Sequence, residues 1–371
     1  MPALPSRIGL RFRWPALVSV TGLVLTGALA LAEPARAQEN QIQVFALPRA
    51  PQNPGTPFYE AARPASLVVG SDRAIWFVEV AGRKIGRIDA KGAIAEFPIP
   101  GKKPGLSRET ALEAITPGPD GALWFTDVES NKIGRITTSG SVSEFDVPFV
   151  KIAGFPPLAT QPFGIAAGSD GALWFAEGFG NAIGRITTKG DVVEYKLPRP
   201  DSAPWSLAAG PDGALWFTES KGRRIGRIKT DGKITEYDLP NPEATPWEIV
   251  AGPDHALWFV ENPGNSVARI GVDGAITEFP LPNPDRYLSA IRPGLDGDLW
   301  FVGTRSIGRI TVKGVIKEYA APIENADPFW AVVGPDGALW ISGERQDQIV
   351  RAATDGAGFK PRASGEEKPK P

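Results

Sequence analysis

The sequence has no cysteine, and only one methionine and one histidine in 371 residues. Without cysteine there is no disulfide and no thiolate metal site. With His255 as the only imidazole, histidine-rich metal cages are excluded. Charge of one sign is also lacking: the formal net charge is −2. No Lys/Arg cluster is present, so nucleic acid is not an expected partner. Long apolar runs are missing except near the N-terminus, so no membrane partner is expected once that segment is gone.

That N-terminal segment reads as a targeting signal. Arg7, Arg11 and Arg13 form a basic start, Ala16 to Ala32 is apolar and uncharged, and Ala35-Arg36-Ala37 fits a small-x-small cleavage site. There is no twin-arginine pair. A mature chain beginning at Gln38, in the periplasm or outside the cell, is expected; retention of the segment as an anchor is the alternative. Removal of residues 1–37 takes away four arginines and one glutamate and leaves a net charge of −5.

What is abundant is turn residues and tryptophan: 42 glycines, 37 prolines and 11 tryptophans. The glycines and prolines recur at fixed offsets, so they are turn punctuation, not disorder. Trp76, Trp124, Trp174, Trp216, Trp258, Trp300 and Trp340 each follow a tight turn, at spacings of 48, 50, 42, 42, 42 and 40 residues. A period of about 40–45 residues rich in short strands marks a propeller blade. The fourth repeat divides into strand a (Trp205–Ala209), the turn Gly210-Pro211-Asp212-Gly213, strand b (Ala214–Glu219), strand c (Ile225–Ile228), a turn at Thr230–Lys233, and strand d (Ile234–Tyr237) ended by Pro240. The expected fold is therefore all-β: a seven-bladed β-propeller with four-stranded blades.

Closure is written in the chain ends. Gln41–Pro48 looks like a strand d with no blade before it, and the seventh repeat lacks a clear strand d after Arg351. Pairing the two leaves no open edge and puts Val44 and Phe45 beside the strand carrying Arg351. The expected division is a signal peptide at 1–37, a propeller at 38–362 and a disordered charged tail at 363–371.

Strands alternate in direction, so d-to-a and b-to-c loops share one face, the mouth, and a-to-b and c-to-d turns share the other. Three long segments, Arg49–Arg63, Gly101–Thr110 and Phe149–Gln161, fall at d-to-a positions over blades 1 to 3. Long loops on a rigid scaffold commonly carry function; drift in loop length is the plainer explanation. The first residues of strand a surround the opening on the same face: Ala65, Glu113, Phe163, Trp205, Trp247, Ser289 and Phe329, with Glu248 and Trp330 next in line. An aromatic rim with few polar groups suits a small organic ligand, a cationic one in particular. Glu113, Phe163, Trp205, Trp247, Glu248, Phe329 and Trp330 are the candidate ligand-binding residues. Equally, the rings could simply fill the axis.

Strand b ends in Glu79, Asp127, Glu177, Glu219 and Glu261 in blades 1 to 5, and in Gly303 and Gly343 in the last two. Each blade also has a strand-c arginine (Arg87, Arg135, Arg185, Arg227, Arg269, Arg309, Arg351), and blades 1 to 6 a strand-d glutamate (Glu96, Glu144, Glu194, Glu236, Glu278, Glu318). One acid–Arg–acid set per blade is expected to be cross-strand pairing, since a catalytic site is rarely repeated in every unit. His255 replaces a turn glycine on the face opposite the mouth, where its tolerance of positive φ accounts for it.

The motif Gly-Pro-Asp-Gly-Ala-Leu-Trp-Phe-Thr-Glu, then Ile-Gly-Arg-Ile, then Ile-Thr-Glu-Tyr resembles the virginiamycin B lyase (streptogramin lyase) family over roughly 41–351. The resemblance implies a seven-bladed propeller and an enzyme that opens a cyclic depsipeptide by elimination at its ester, using Mg²⁺, a histidine base and glutamates. The positions matching the family's histidines are Ser289 and Phe329; the acid before the proline is matched by Asp327, and the metal-linked glutamate by Gly343 with Glu344 adjacent. The base is thus missing, and Mg²⁺ rests on the resemblance alone. Three functions follow as expectations: a monomeric binder of a small organic ligand on the mouth, a Mg²⁺-dependent lyase or hydrolase with Glu113 or Glu248 as base, or a protein-binding scaffold.

Overall fold

The structure, a computed structural model, describes residues 42–48, 62–100, 112–151, 154–263, 265–283, 287–304, 306–321, 328–343 and 347–354. The targeting segment, the tail, the segments 49–61 and 101–111, and Asp327 and Glu344 lie outside the described residues.

Seven four-stranded antiparallel sheets form seven blades. Six follow the order a, b, c, d along the chain. In the seventh, Pro328–Val333, Leu339–Gly343 and Gln348–Ala352 supply strands a to c and Ile42–Ala46 supplies d. Val44 lies opposite Val350 and Phe45 opposite Ile349, one and two strand positions from Arg351, which faces Gln43. The closure read from the sequence is the one observed.

Each blade is built around its tryptophan. Trp76, Trp124, Trp174, Trp216 and Trp258 are fully buried. Each stacks on a strand-d aromatic, as in Trp216 on Tyr237 at 5.6 Å between ring centroids. The seventh blade takes its ring from the far end of the chain: Phe45 stacks on Trp340 at 5.3 Å. The indole N–H is spoken for as well. Asp212 Oδ1 accepts from Trp216 Nε1 at 3.1 Å, and its Oδ2 accepts from Arg227 Nε at 2.7 Å.

This arrangement corrects the acid–Arg–acid reading. The strand-c arginines bond the aspartate of the a-to-b turn: Arg87 with Asp72, Arg135 with Asp120, Arg185 with Asp170, Arg269 with Asp254 and Arg351 with Asp336. The reason is direction. Trp216 pairs with Arg227 across strands b and c, so the guanidinium lies near the turn end of the sheet, while Glu219 closes strand b at the mouth end. Burial pulls the Asp212 carboxyl upward, but hydrogen bonds from Trp216 and Arg227 outweigh it and hold the group below its ordinary value.

A second repeated device joins the blades. The residue before strand c sits in the left-handed region: Arg83, Asn131, Asn181, Arg223, Asn265 and Asp347, with φ of 48–55°. Its carbonyl accepts from the chain as it leaves strand d, as in Leu197 N to Asn181 O at 3.0 Å. Its side chain then ties the crossover into the next blade: Asn181 Oδ1 accepts from Ser202 N, and Asn131 Oδ1 accepts from both Thr160 N and Thr160 Oγ1. The seam uses the same device, with Leu47 N donating to Asp347 O at 2.8 Å and Arg63 N to Asp347 Oδ1 at 3.0 Å.

Phe45→Ala is expected to destabilise the protein by about 2–4 kcal/mol, from lost apolar burial and the lost stack on Trp340. Chemical denaturation reads this directly. A change within error would mean that the closing strand contributes little to the seventh blade.

Candidate functional site

The seven a strands line an axial cavity of about 320 Å³. All seven blades contribute to it, among them Ser66, Glu113, Gly164, Trp205, Glu248, Arg292 and Trp330. Four of the seven sequence candidates, Glu113, Trp205, Glu248 and Trp330, therefore line one cavity.

Phe163 and Trp247 do not line it. They flank Trp205 instead, with Phe163–Trp205 ring centroids 4.1 Å apart and Trp205–Trp247 4.4 Å apart. The result is a continuous three-ring ladder over blades 3, 4 and 5. Phe329 stands apart. It packs against the core between blades 1 and 2 and lies 6.2 Å from Trp330.

Local geometry explains the ladder. Each a strand shifts register next to its rim residue, between Pro162 and Ile165, Pro204 and Leu207, and Pro246 and Ile249. Such bulges re-aim side chains. Strand-b hydroxyls of the preceding blade then fix the backbone: Thr126 Oγ1 donates to Phe163 O at 2.7 Å, and Thr218 Oγ1 to Trp247 O at 2.8 Å. Gly164 lets the neighbouring strand come close, since a Cβ there would lie 2.6 Å from Trp205 O.

Glu248 has a structural analogue in other blades. Ser66 Oγ accepts from Ile115 N, and Ser206 Oγ accepts from Ile249 N. Glu248 Oε2 makes the same tie to the next blade, accepting from Ile291 N at 2.8 Å. Its other oxygen accepts from Arg292 Nη1 at 2.6 Å. Burial pushes the Glu248 carboxyl above its ordinary value, opposed by Arg292 and the Ile291 N–H. Arg292 also lies over Trp330, 5.1 Å from the ring centroid. Sequence reading missed Arg292. The equivalent positions carry Val68, Thr116, Ala166, Ala208, Val250 and Val332, so one long cation among small and apolar residues was the available signal.

The strand-b carboxylates are fully buried at the mouth end of their blades. Asp127 is met by Arg83 at 2.6 Å, and Glu219 by Arg224 at 2.8 Å. Glu177 faces another acid, Glu194; burial first and then that contact push its carboxyl up to about 9. Burial and Glu96 push Glu79 up to about 8, against the pull of Lys84.

Of the mouth insertions, only Phe149–Gln161 lies mainly within the described residues. It carries a Val150–Leu158 bridge and exposes Phe149 and Phe155.

The model of the virginiamycin B lyase family matches residues 104–352. The chain belongs to this family. The crystal structure of virginiamycin B lyase from Staphylococcus aureus is 36% identical, with a TM-score of 0.73 over 84% of this chain and 99% of that one. A streptogramin B lyase structure is 34% identical, with a TM-score of 0.73 over 84% and 96%. A catalytically inactive histidine-to-alanine variant of the S. aureus enzyme with quinupristin is 35% identical, with a TM-score of 0.72 over 84% and 99%. No curated protein matches.

Set against the lyase family's histidines, this chain is differently equipped at the mouth. Ser289 is buried and donates to Val302 O at 3.3 Å. Phe329 offers no proton acceptor. His255 is exposed in an a-to-b turn at φ 57°, on the face away from the mouth, as its place in the sequence implied. For Mg²⁺, no group of three His, Cys, Asp or Glu side chains among the described residues is placed to hold an ion. Gly343 has no donor side chain where the family's glutamate is expected. The described residues do not fit the metal.

Proposed function

We propose that this member of the family is an exported binding protein for a small organic ligand, seated over the axial mouth, and that it does not carry out histidine-based elimination. One observation carries the reading: Trp205, held between Phe163 and Trp247 in the three-ring ladder, lines a cavity of about 320 Å³, which is within the range of small-molecule sites. The neighbouring rings cover both faces of Trp205, so it presents a rigid apolar edge to the cavity, whose few polar groups serve for orientation. Two further points support the absence of the lyase chemistry. The S. aureus variant lacking a single histidine is catalytically inactive, and no imidazole stands at the mouth here. Export is supported by the basic start, apolar run and cleavage pattern of residues 1–37.

The test uses quinupristin. The protein is expected to bind it, measured by tryptophan fluorescence, and to leave the ring closed by mass spectrometry. The Trp205→Ala/Trp247→Ala variant is expected to lose at least about 30-fold in affinity, as for aromatic hot spots, with its unfolding transition retained. Ring opening by the unmodified protein would overturn the reading in favour of a glutamate-based lyase. Abolition of that activity by Glu248→Gln or Glu113→Gln would then name the base.

A further inference from the structure

Arg292 is the feature of the axial cavity that the reading above leaves unused. Its guanidinium is held from two sides. Nη1 donates to Glu248 Oε1 at 2.6 Å and to its neighbour's carbonyl, Ile291 O, at 2.7 Å. The plane of the group lies over Trp330. The three residues come from the a strands of blades 5, 6 and 7, and all line the same cavity. The Arg292 side chain keeps 15% of its surface accessible, whereas Glu248 keeps 3%. The arginine is the member of the pair that a ligand meets.

Charge and hydrogen-bonding capacity decide what that ligand group can be. The pair cancels to zero net charge at 2.6 Å. Glu113, on blade 2, has an engagement of its own. An incoming carboxylate would be set beside the buried Glu248, and an incoming ammonium beside Arg292; either would put like charges together in a poorly solvated place. An uncharged oxygen acceptor meets neither penalty. Guanidinium has five N–H donors in a fixed fork and no acceptor, so Arg292 has donors left after Nη1 is used. Trp330 Nε1 is buried with no acceptor among the described residues, so the indole brings no acceptor that could satisfy those free Arg292 donors. Donors predominate here, and what they lack is a neutral acceptor.

We propose that the Arg292–Glu248 pair is the polar anchor of the cavity and that it selects an uncharged, carbonyl-bearing group, an ester or amide oxygen, attached to an aromatic ring that packs against Trp205 and Trp330. This rests on the ligand-binding reading above and names the class of ligand. It replaces the sequence-based expectation of a cationic ligand, because the carboxylate that favoured a cation, Glu248, is already neutralised by Arg292.

Three probes sharing one ring test it by isothermal titration: N-acetylphenylalaninamide, N-acetylphenylalanine as its carboxylate, and phenethylamine as its cation. The neutral amide is expected to bind at least about tenfold more tightly than either ion, the size of one well-made hydrogen bond in the absence of a charge penalty. The Arg292→Met/Glu248→Gln variant removes both charges together. It keeps the amide oxygen of residue 248 for the Ile291 N–H, and so avoids a stranded buried carboxylate. In it, affinity for the neutral amide is expected to fall about tenfold and the preference among the probes to narrow, with the thermal transition preserved. Tighter binding of the carboxylate or the ammonium by the unmodified protein would overturn the assignment while leaving a ligand-binding mouth standing. An unchanged preference in the double variant would do the same. If no probe bound and quinupristin did not bind either, the underlying ligand-binding reading would fall, and this inference with it.

Discussion

Trp216→Ala should destabilise the protein by about 3–5 kcal/mol, the range for removing a large aromatic from a packed interior. Trp216 is fully buried, stacks on Tyr237, and lies within the core shared by blades 4 and 5. The loss should exceed that from Tyr237→Ala, because the indole also satisfies Asp212. Once it is removed, Asp212 Oδ1 keeps only the long bond from Ala214 N at 3.3 Å, while Oδ2 still holds Arg227. Trp216→Phe separates the two contributions. It retains most of the packing and removes the N–H, so it should cost about 1–3 kcal/mol. Urea unfolding of both variants checks the pair. A Phe variant as stable as the parent would show that the indole–aspartate bond contributes nothing.

The second large effect is in pH. Stability should fall as pH rises from about 5 to 9. Glu177 and Glu79 ionise at about 9 and about 8 in the fold, and Glu261, raised by burial against the hydrogen bond from Ser266, at about 7, each from an ordinary 4.5. Through that window the folded chain holds protons that the unfolded chain has released, so each increment of pH favours unfolding. The contribution is complete below 4.5 and is lost as pH passes the folded values. The turn aspartates act in the opposite sense and in another window. Asp72, Asp120, Asp170, Asp212, Asp254 and Asp336 are held below 3.8, so their contribution is present above that value and lost in acid. Maximum stability should therefore lie near pH 4–5. Glu177→Gln replaces the protonated acid by an amide that donates to Glu194 at any pH. It should remove up to about 1.4 kcal/mol per pH unit of the alkaline slope and leave the variant more stable than the parent above neutrality. A slope unchanged in Glu177→Gln would rule out proton sharing by that pair.

The fold was legible because its signals are local. The tryptophan and the turn aspartate four residues before it recur with each blade, the strand-d aromatic about twenty residues after it recurs in the first six, and the closing strand was readable as a surplus at one end and a deficit at the other. What failed was partner choice. Arg227 has Glu219, Glu236 and Asp212 within reach in sequence, and only the register of strands b and c shows that Asp212 is at the right end. The mouth was legible as a set of positions, and four of the seven named residues line the cavity. Arg292 was not, because its partners stand 44 residues before it and 38 after it, and nothing along the chain connects them until three blades converge. Glu248 looked like a free rim acid for a similar reason: its kinship with Ser66 and Ser206 lies in a backbone contact to the next blade, which residue type does not disclose.

The left-handed hook before strand c has a mechanical consequence. Leu47 is held by Asp347 in the way that Ile99 is held by Arg83 and Leu281 by Asn265. The joint at which two distant parts of the polypeptide meet is thus made with the same fastening as joints where the chain runs straight through. A hoop whose seam is fastened like its other described joints gains no weak point there. Strain from a ligand wedged into its hole would spread round the circumference and would not collect at the seam.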